Sequence, residues 1–354
     1  MKVYEITIKP ITGFGTPFKG DTVFGHFCWQ IAYNEKLVGK PLNDLLSNYQ
    51  SKPFVIFSSA YPKFCIGTKY HYALKTPDLP LETIFNLPED KKELVKMRKE
   101  YKAKRWIIIE EGKRISSLKN LDKLNDKELF DKLKSNISDE TRKWIKKAGA
   151  KSFAADFTQF HNKINRQSGT TGEEGFAPFA VEQQVFLSET ELALFVGLDE
   201  TVINIEQIRS GLERIGEFGF GKDASTGLGR FELGEEIEVD LSKIGSDLAN
   251  ACYTLSPCVP EKETFSEIYF APFTRFGRHG DIFAKSSNPF KNPVIMADEG
   301  AILKPKDRGV FNKPYIGRAI PNVSKIEPKT VTQGYSLYIP VKLVPEGSNR
   351  GVEV

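Results

Sequence analysis

The order in which strand and helix patterns follow one another constrains the fold of this chain most. Residues 2–10 alternate apolar and polar side chains, as a strand does, and a Gly/Pro turn separates them from a helix predicted from about Asp21, its N-cap. Far along the chain, residues 202–217 again have helical periodicity, and a Gly-rich loop follows and runs into another strand. The chain therefore belongs to the α+β class.

The segments between these two ends complete a known order of elements. The run PFVIFSSAYP predicts a buried strand, and VEQQVFLSETELALFVGLDE predicts two strands joined by a polar turn. Strand, helix, strand, strand, helix and strand in that order is the β-α-β-β-α-β arrangement of ferredoxin-like and RRM domains. We predict such a domain over residues 1–235. A second domain is predicted over 236–354, where strand patterns return but no clean pair of helices can be placed.

A charged stretch interrupts the first domain. The whole chain carries a net charge of +4, whereas residues 86–150 hold nineteen Lys and Arg against twelve Asp and Glu. Segments such as DKKELVKMRKEYKAKR predict exposed helices of mixed charge. We interpret 86–150 as a helical insertion. Its surface either remains solvated or contacts RNA or a protein partner, and the pattern leaves both open.

Cysteine usage and hydropathy narrow the class of protein. The four cysteines form no C-x-x-C pair and have no histidine at zinc-site spacing, which favours free thiols in a reducing cytosol and no bound metal or cofactor. No apolar stretch approaches the roughly 20 residues that a membrane helix needs. We therefore expect a cytoplasmic protein without a membrane partner.

The Gly-rich loop is the first candidate for binding chemistry. Its glycines allow close backbone approach, its N–H groups suit phosphate oxygens, and Lys222 and Arg230 add charge. A strand rather than a helix follows, so the loop is not a P-loop. A plain structural turn is the alternative. The candidate residues are Gly219, Gly221, Lys222, Thr226, Gly227, Gly229 and Arg230.

Two further stretches have the composition of an RNA surface. Lys163 and Arg166 stand at a basic Gly-rich turn before several phenylalanines, which suits charge and stacking on single-stranded RNA, although an ordinary hairpin explains it as well. Lys19 lies in the loop before the first helix, whose N-terminus attracts phosphate. His26 on that helix is a possible acid or base, yet a histidine in an apolar stripe is more often a packing residue.

The loops of the second domain alternate cations with aromatic residues. Arg275, Arg278 and Arg318 are the candidates there, with Phe276, Phe290 and others between them. This alternation is expected on a surface for a flexible polyanion with exposed bases, while a long solvated loop is the competing interpretation.

Three stretches together resemble the RAMP superfamily of CRISPR proteins. They are TPFKGDTVFGHFCWQI, HNKINRQSGTTGEEGF and GFGKDASTGLGRFEL, and the likeness is nearest to the fourth-subunit family of Csm effectors. It covers the first 235 residues well and the remainder loosely. The charged insertion and the irregular second domain depart from the family pattern.

The resemblance implies two ferredoxin-like or RRM-like domains and a non-catalytic subunit of a type III CRISPR effector. Such a subunit holds the 5′ handle of the crRNA and docks a large palm-domain subunit and a backbone RAMP subunit. The Gly219–Arg230 loop would lie against handle phosphates, with Lys19, Lys163 and Arg166 on the same face. Some RAMP relatives cleave RNA, so a metal-free endoribonuclease using His26, or the equivalent subunit of another type III subtype, stays open.

Overall fold

The computed structural model describes residues 1–115, 117–134, 137–149, 152–172 and 175–343. Its strands are β1 (Lys2–Pro10), β2 (Val55–Ile66), β3 (Lys69–Lys75), β4 (Trp106–Glu110), β5 (Lys123–Leu124), β6 (Ala154–His161), β7 (Phe179–Phe186), β8 (Glu191–Leu198), β9 (Phe231–Glu238), β10 (Ala251–Thr254), β11 (Phe265–Tyr269), β12 (Pro272–Arg275), β13 (Val294–Ala297), β14 (Ile302–Pro305), β15 (Tyr315–Gly317) and β16 (Tyr335–Val341). Its α-helices are α1 (Gly20–Tyr33), α2 (Leu42–Ser47), α3 (Leu81–Ile84), α4 (Lys91–Ala103), α5 (Asp126–Leu133), α6 (Asp139–Ala148), α7 (Ile205–Phe218) and α8 (Leu241–Ile244).

The first sheet has the strand order β5-β4-β3-β2-β8-β1-β9, with antiparallel neighbours throughout. Helices α1 and α7 pack against each other and against this sheet. Along the chain, β1, α1, β2, β8, α7 and β9 have the predicted β-α-β-β-α-β order, and β1 and β8 are central among these four strands. The mixed α+β class is confirmed.

Local sequence explains the two helices of this layer. Helix α7 begins at a capping box, in which the Asn204 side chain accepts from the Gln207 N–H and the Gln207 side chain accepts from the Asn204 N–H. Helix α1 begins one residue before Asp21, with Lys19 as its N-cap. The Asp21 carboxylate pairs with Arg275 instead, so the prediction that Asp21 caps the helix is wrong.

The 86–150 segment is not a purely helical insertion. Helices α4, α5 and α6 are present, but β4 and β5 lengthen the first sheet on the β3 edge. Residues 107–109 are three consecutive isoleucines, and such a β-branched run favours a buried strand. A small separate core, which includes Phe130 and Phe153, supports this extension.

The second half of the chain is built mainly from short strands. One sheet has the order β11-β14-β10-β16-β15, and β12 and β13 form a separate ribbon. Within described residues 236–343 the one α-helix is α8, which is four residues long. The expected second ferredoxin-like domain therefore lacks the pair of packed helices that defines that arrangement. The strands are short, and the loops between them contain short 3₁₀ turns at Asp281–Lys285 and Arg308–Asn312.

The two halves share a buried boundary. The Gln333 side chain donates to the Phe57 carbonyl at 2.7 Å and accepts from the Phe57 N–H at 3.0 Å. The Ser59 N–H donates to the Leu255 carbonyl at 2.8 Å, and one hydrophobic core includes residues of both sheets. The loops that end the first sheet are therefore held in fixed positions relative to the second half. Among the described helices, none has the length and apolar character needed to cross a membrane.

Candidate nucleic-acid interface

Three stretches that are distant in sequence meet at one place on the surface. Phe14 and Gln184 exchange two backbone hydrogen bonds of 2.8 and 2.9 Å. These bonds join the β6–β7 hairpin to the loop between β1 and α1. The Lys222 N–H donates to Thr16 Oγ1 and the Arg230 N–H donates to Thr12 Oγ1, both at 2.9 Å. We call this surface, formed by residues 12–16, Gln184 and residues 222–230, the loop face.

A cluster of phenylalanines supports the loop face from below. Phe18 and Phe220 stack with ring centroids 4.4 Å apart, and Phe14 contacts Phe186 edge-on at 5.7 Å. Phe231 closes the cluster against Phe18 at 5.4 Å. Because aromatic pairs of this kind add to the energy of burial, the loops above them are held by packing as well as by hydrogen bonds.

The Gly-rich loop requires glycine at several positions. Gly219, Gly221, Gly227 and Gly229 all have positive φ, where other residues are strained. The Phe220 N–H donates to the Gly229 carbonyl, so the two arms of the loop cross closely. The close approach that glycine permits here is between the two arms of the loop, and its predicted role in binding phosphate stays a prediction.

Most of the loop's backbone N–H groups already have acceptors inside the protein. Those of Gly221 and Lys222 donate to His26 and Thr16, and that of Gly229 donates to the Gly13 carbonyl. The expectation that these N–H groups are open to phosphate is therefore wrong for these positions. What the loop exposes instead is the side chains of Ser225, Thr226, Lys222 and Arg230.

His26 organises the loop rather than facing solvent as a reactive group. Its Nε2 accepts a hydrogen bond from the Gly221 N–H at 3.1 Å, and its ring lies 4.8 Å from that of Phe220. Burial, and after it the charge of Lys291, lowers the pKa of His26 to about 4. The imidazole is thus neutral near neutral pH, and its acceptor nitrogen is occupied, so it is poorly placed to act as a general base.

Gly227 and Gly229, two positions apart, allow a matched test of this loop. We expect Gly229→Ala to lower the thermal midpoint more than Gly227→Ala and to speed amide exchange at Phe220. Both residues have positive φ, which costs an L-residue roughly 1–2 kcal/mol. A Cβ on Gly229 would lie 2.1 Å from the Phe220 carbonyl oxygen, whereas one on Gly227 meets no atom within 4 Å. Thermal melts and hydrogen exchange check this, and equal effects would show that the crossing is not tight.

Two of the predicted cations are engaged in ion pairs that join the two halves. Lys19 Nζ lies 2.5 Å from an Asp298 oxygen and 2.7 Å from a Glu299 oxygen. Arg275 forms two hydrogen bonds to the Asp21 carboxylate, at 2.5 and 2.8 Å. Burial raises the pKa of Glu299 to about 7. Lys19 and Arg275 therefore stabilise the boundary, and their charge is already compensated.

The other predicted cations are exposed, and none of them is among the residues that form the loop face. Lys163 and Arg166 lie in the connection between β6 and β7, at the tip of the hairpin. Lys163 Nζ is 5.5 Å from the centre of the Phe179 ring. Phe179 and Gln184 are five positions apart along β7, roughly 17 Å at 3.4 Å per residue. Arg278 lies over Phe290, and Arg318 is exposed beside β15. The structure thus brings the predicted residues of the Gly-rich loop together, whereas the remaining predicted cations lie outside the loop face.

Sequence reasoning missed the exposed aromatic side chains of the hairpin. Phe160 is 80% exposed and Phe157 is 52% exposed on β6. The signal was present in the segment AADFTQFH, whose phenylalanines stand in a strand with few other apolar residues. In described residues 1–115, 117–134, 137–149, 152–172 and 175–343, no group of three His, Cys, Asp or Glu is arranged to hold a metal ion.

Comparison with known proteins identifies solved structures that share this fold. No protein-family model and no curated protein matches this chain. A chain in a crystal structure of a Csm1-Csm4 cassette in complex with pppApA matches 98% of this chain over 100% of its own length, with 17% identity and a TM-score of 0.51. A chain in a Csm3-Csm4 subcomplex of the type III-A CRISPR-Cas interference complex matches 96% of this chain over 99% of its own, with 14% identity and a TM-score of 0.51.

The fold resembles that of a Csm effector subunit. A second Csm1-Csm4 cassette, in complex with cA4, gives a TM-score of 0.52 at 15% identity, again over 98% of this chain. Csm4 is the component common to these assemblies. The likeness in fold to a chain of these Csm assemblies extends over nearly the whole chain, beyond the first 235 residues on which the sequence motifs depended.

Proposed function

We propose that this chain is a non-catalytic RNA-binding subunit of a type III CRISPR effector of the Csm type. In this proposal it holds the 5′ handle of the crRNA and contacts a large palm-domain subunit and a backbone RAMP subunit. The observation that carries the proposal is the meeting, at the loop face, of the loop between β1 and α1, the β6–β7 hairpin and the Gly-rich loop. The fold shared with chains of Csm1-Csm4 and Csm3-Csm4 assemblies supports it.

The chemistry of the loop face suits an RNA strand bound by its backbone. Lys222 and Arg230 are exposed there, and the pair Lys163 and Arg166 extends the positive charge along the hairpin. Single-stranded nucleic acid binds where cations follow the backbone and aromatic side chains offer stacking surfaces, and Phe157 and Phe160 offer such surfaces. A rigid loop loses little entropy on binding, so its side-chain charges act from fixed positions.

The proposal retains two domains, 1–235 and 236–354, the last eleven residues of which lie outside the described part of the chain. Lys19 and Arg275, which the sequence predicted to contact RNA, are assigned a structural role in this proposal, because carboxylate partners already neutralise their charges. The phosphate contacts are assigned to Lys222 and Arg230, with Lys163, Arg166, Arg278 and Arg318 as outer cations. Cytoplasmic location and the lack of a cofactor remain part of the proposal.

Incubating the isolated chain with labelled repeat RNA tests binding against cleavage. We expect retention of intact RNA by the wild-type protein, since His26 is half-buried, neutral and hydrogen-bonded. Cleavage that disappears in His26→Ala would support the endoribonuclease instead. Failure of the wild-type chain to bind the RNA, alone or with its co-purified subunits, would contradict the proposal.

A further inference from the structure

A cavity of about 260 Å³ lies between one side of helix α1 and the loops of the second half. Its walls are largely apolar and include Phe24, Trp29 and Phe283, of which the last two have ring centroids 5.7 Å apart. None of its lining residues belongs to the loop face. Its volume lies just below the roughly 300–1,000 Å³ of pockets for drug-sized ligands, which suits a small molecule.

One cationic side chain in this cavity has no anionic partner. Lys291 lines the cavity and is half-buried, and in the described part of the chain no carboxylate lies within ion-pair distance of it. Asp21 acts on it electrostatically, but that carboxylate already binds Arg275 twice. Burial lowers the pKa of Lys291, as expected for an ammonium group deprived of solvent. A half-buried cation without a counter-ion loses part of its hydration, and an incoming anion would offset that loss.

A glycine in the middle of α1 keeps the cavity open. Gly25 lines it, and a Cβ there would meet no atom within 4 Å. Other helical glycines are required by packing: a Cβ on Gly20 would lie 2.1 Å from the Phe57 oxygen, and one on Gly211 would lie 2.3 Å from Phe27. Glycine is a poor helix former, so its use at position 25, where no neighbour demands it, favours a role in preserving the space.

The charged side chains at the mouth restrict which anions fit. Glu35 and Lys329 are exposed and Glu327 is half-buried, and all three line the cavity, so a ligand bound there meets two carboxylates and one exposed cation besides Lys291. Repulsion by these carboxylates acts more strongly on a dianion such as phosphate than on a monoanion. The aromatic walls favour a flat apolar body.

We propose that this cavity is a binding site for a small monocarboxylate with an aromatic body, whose carboxylate pairs with Lys291 and whose ring packs against Trp29 and Phe283. The site is separate from the loop face and does not depend on the proposed RNA function. Pairing with the carboxylate is charge-assisted, and the ring displaces water from an apolar wall.

Titration of the full-length protein with phenylacetate tests this site, with binding followed by ligand-observed NMR. We expect saturable binding that is about tenfold tighter than that of the neutral isostere phenylacetamide, because only the carboxylate gains the Lys291 pair. Inorganic phosphate should bind more weakly than phenylacetate. Lys291→Met should bring phenylacetate and phenylacetamide to similar affinity, and Gly25→Leu should abolish binding of both. Lys40→Met, which removes an exposed charge elsewhere, should behave as the wild type.

Circular dichroism of each variant separates loss of the site from loss of the fold. If Lys291→Met does not fold, Gly25→Leu and the comparison of ligands on the wild type decide the outcome. The proposal is overturned if the wild-type protein fails to prefer phenylacetate over phenylacetamide, if phosphate binds more tightly, or if Gly25→Leu binds phenylacetate normally.

Discussion

Replacing Lys63 with methionine lowers the stability of the protein by roughly 3–5 kcal/mol, the range typical of breaking a buried ion pair. Lys63 Nζ lies 2.6 Å from Glu5 Oε1 and 3.3 Å from Thr7 Oγ1 inside the first sheet. The side chains of Lys63 and Glu5 are only 2% and 1% exposed. Removing the ammonium leaves the Glu5 carboxylate buried. The Tyr72 hydroxyl, from β3, then remains as its strong hydrogen-bond partner.

That tyrosine cannot compensate for the lost charge. The Tyr72 hydroxyl donates to Glu5 Oε2 at 2.5 Å, and burial followed by the Glu5 charge raises the pKa of Tyr72, so the phenol stays a neutral donor. Lys63 also lies 4.2 Å from the Tyr70 ring centre, a contact that methionine keeps only as packing. The cost therefore arises from an unpaired carboxylate rather than from a cavity.

Two controls isolate the buried pair in denaturant titrations followed by far-ultraviolet circular dichroism. Lys69→Met removes an exposed lysine that pairs with Glu110 on the same sheet, and we expect a far smaller change in midpoint. Glu5→Gln with Lys63→Met removes both charges and should lose less stability than Lys63→Met alone. If Lys63→Met and Lys69→Met have the same midpoint, the buried pair does not stabilise the fold as argued.

Removing the two cations of the loop face should weaken RNA binding and make it less sensitive to salt. Each phosphate contact on a single strand contributes about 0.7 to the slope of log K against log salt concentration, so Lys222→Ala with Arg230→Ala should reduce that slope by about 1.4. Both side chains are exposed, so their removal should leave the fold intact. Filter binding of single-stranded handle RNA at several salt concentrations measures the slope.

The control for this pair is Lys36→Ala with Lys40→Ala. Both lysines are exposed beyond the end of α1, and the double change removes the same net charge from a different surface. We expect the control to keep the wild-type slope. An equal fall in slope for both pairs would indicate a diffuse electrostatic attraction, and the loop face would not be the site.

Adding Lys163→Ala and Arg166→Ala to the first pair tests how far the strand extends along the hairpin. A further decrease in slope would assign these tip residues to the same RNA. An unchanged slope would confine the contact to the loop face, roughly 17 Å away along β7.

Local patterns predicted the parts of this structure that local physics controls. The alternation in β1, the apolar stripe of α1 and the periodicity of α7 each depend on neighbours within a few residues, and all three elements are present. The strand β4 was missed because a short isoleucine run among charged helices gives no sign that it joins a distant sheet edge.

Contacts between residues far apart in the sequence explain which features of the site could not be predicted. Arg275 binds Asp21 across 254 residues, and Lys19 binds Asp298 across 279, so neither lysine nor arginine could be recognised as structural from its own segment. The hydrogen bonds that the Gly221 and Lys222 N–H groups donate inside the protein could not be predicted for the same reason. Their acceptors, His26 and Thr16, lie about 200 residues earlier in the sequence. Exposure of Lys222 and Arg230, by contrast, agrees with the polar pattern around them.

Nuclease protection of the guide RNA in a reconstituted effector tests the central claim most directly. If the loop face grips the handle, the handle nucleotides should be protected when this chain is present and become accessible when it is omitted or carries Lys222→Ala with Arg230→Ala. Equal protection of those nucleotides in assemblies with and without this chain would contradict the account.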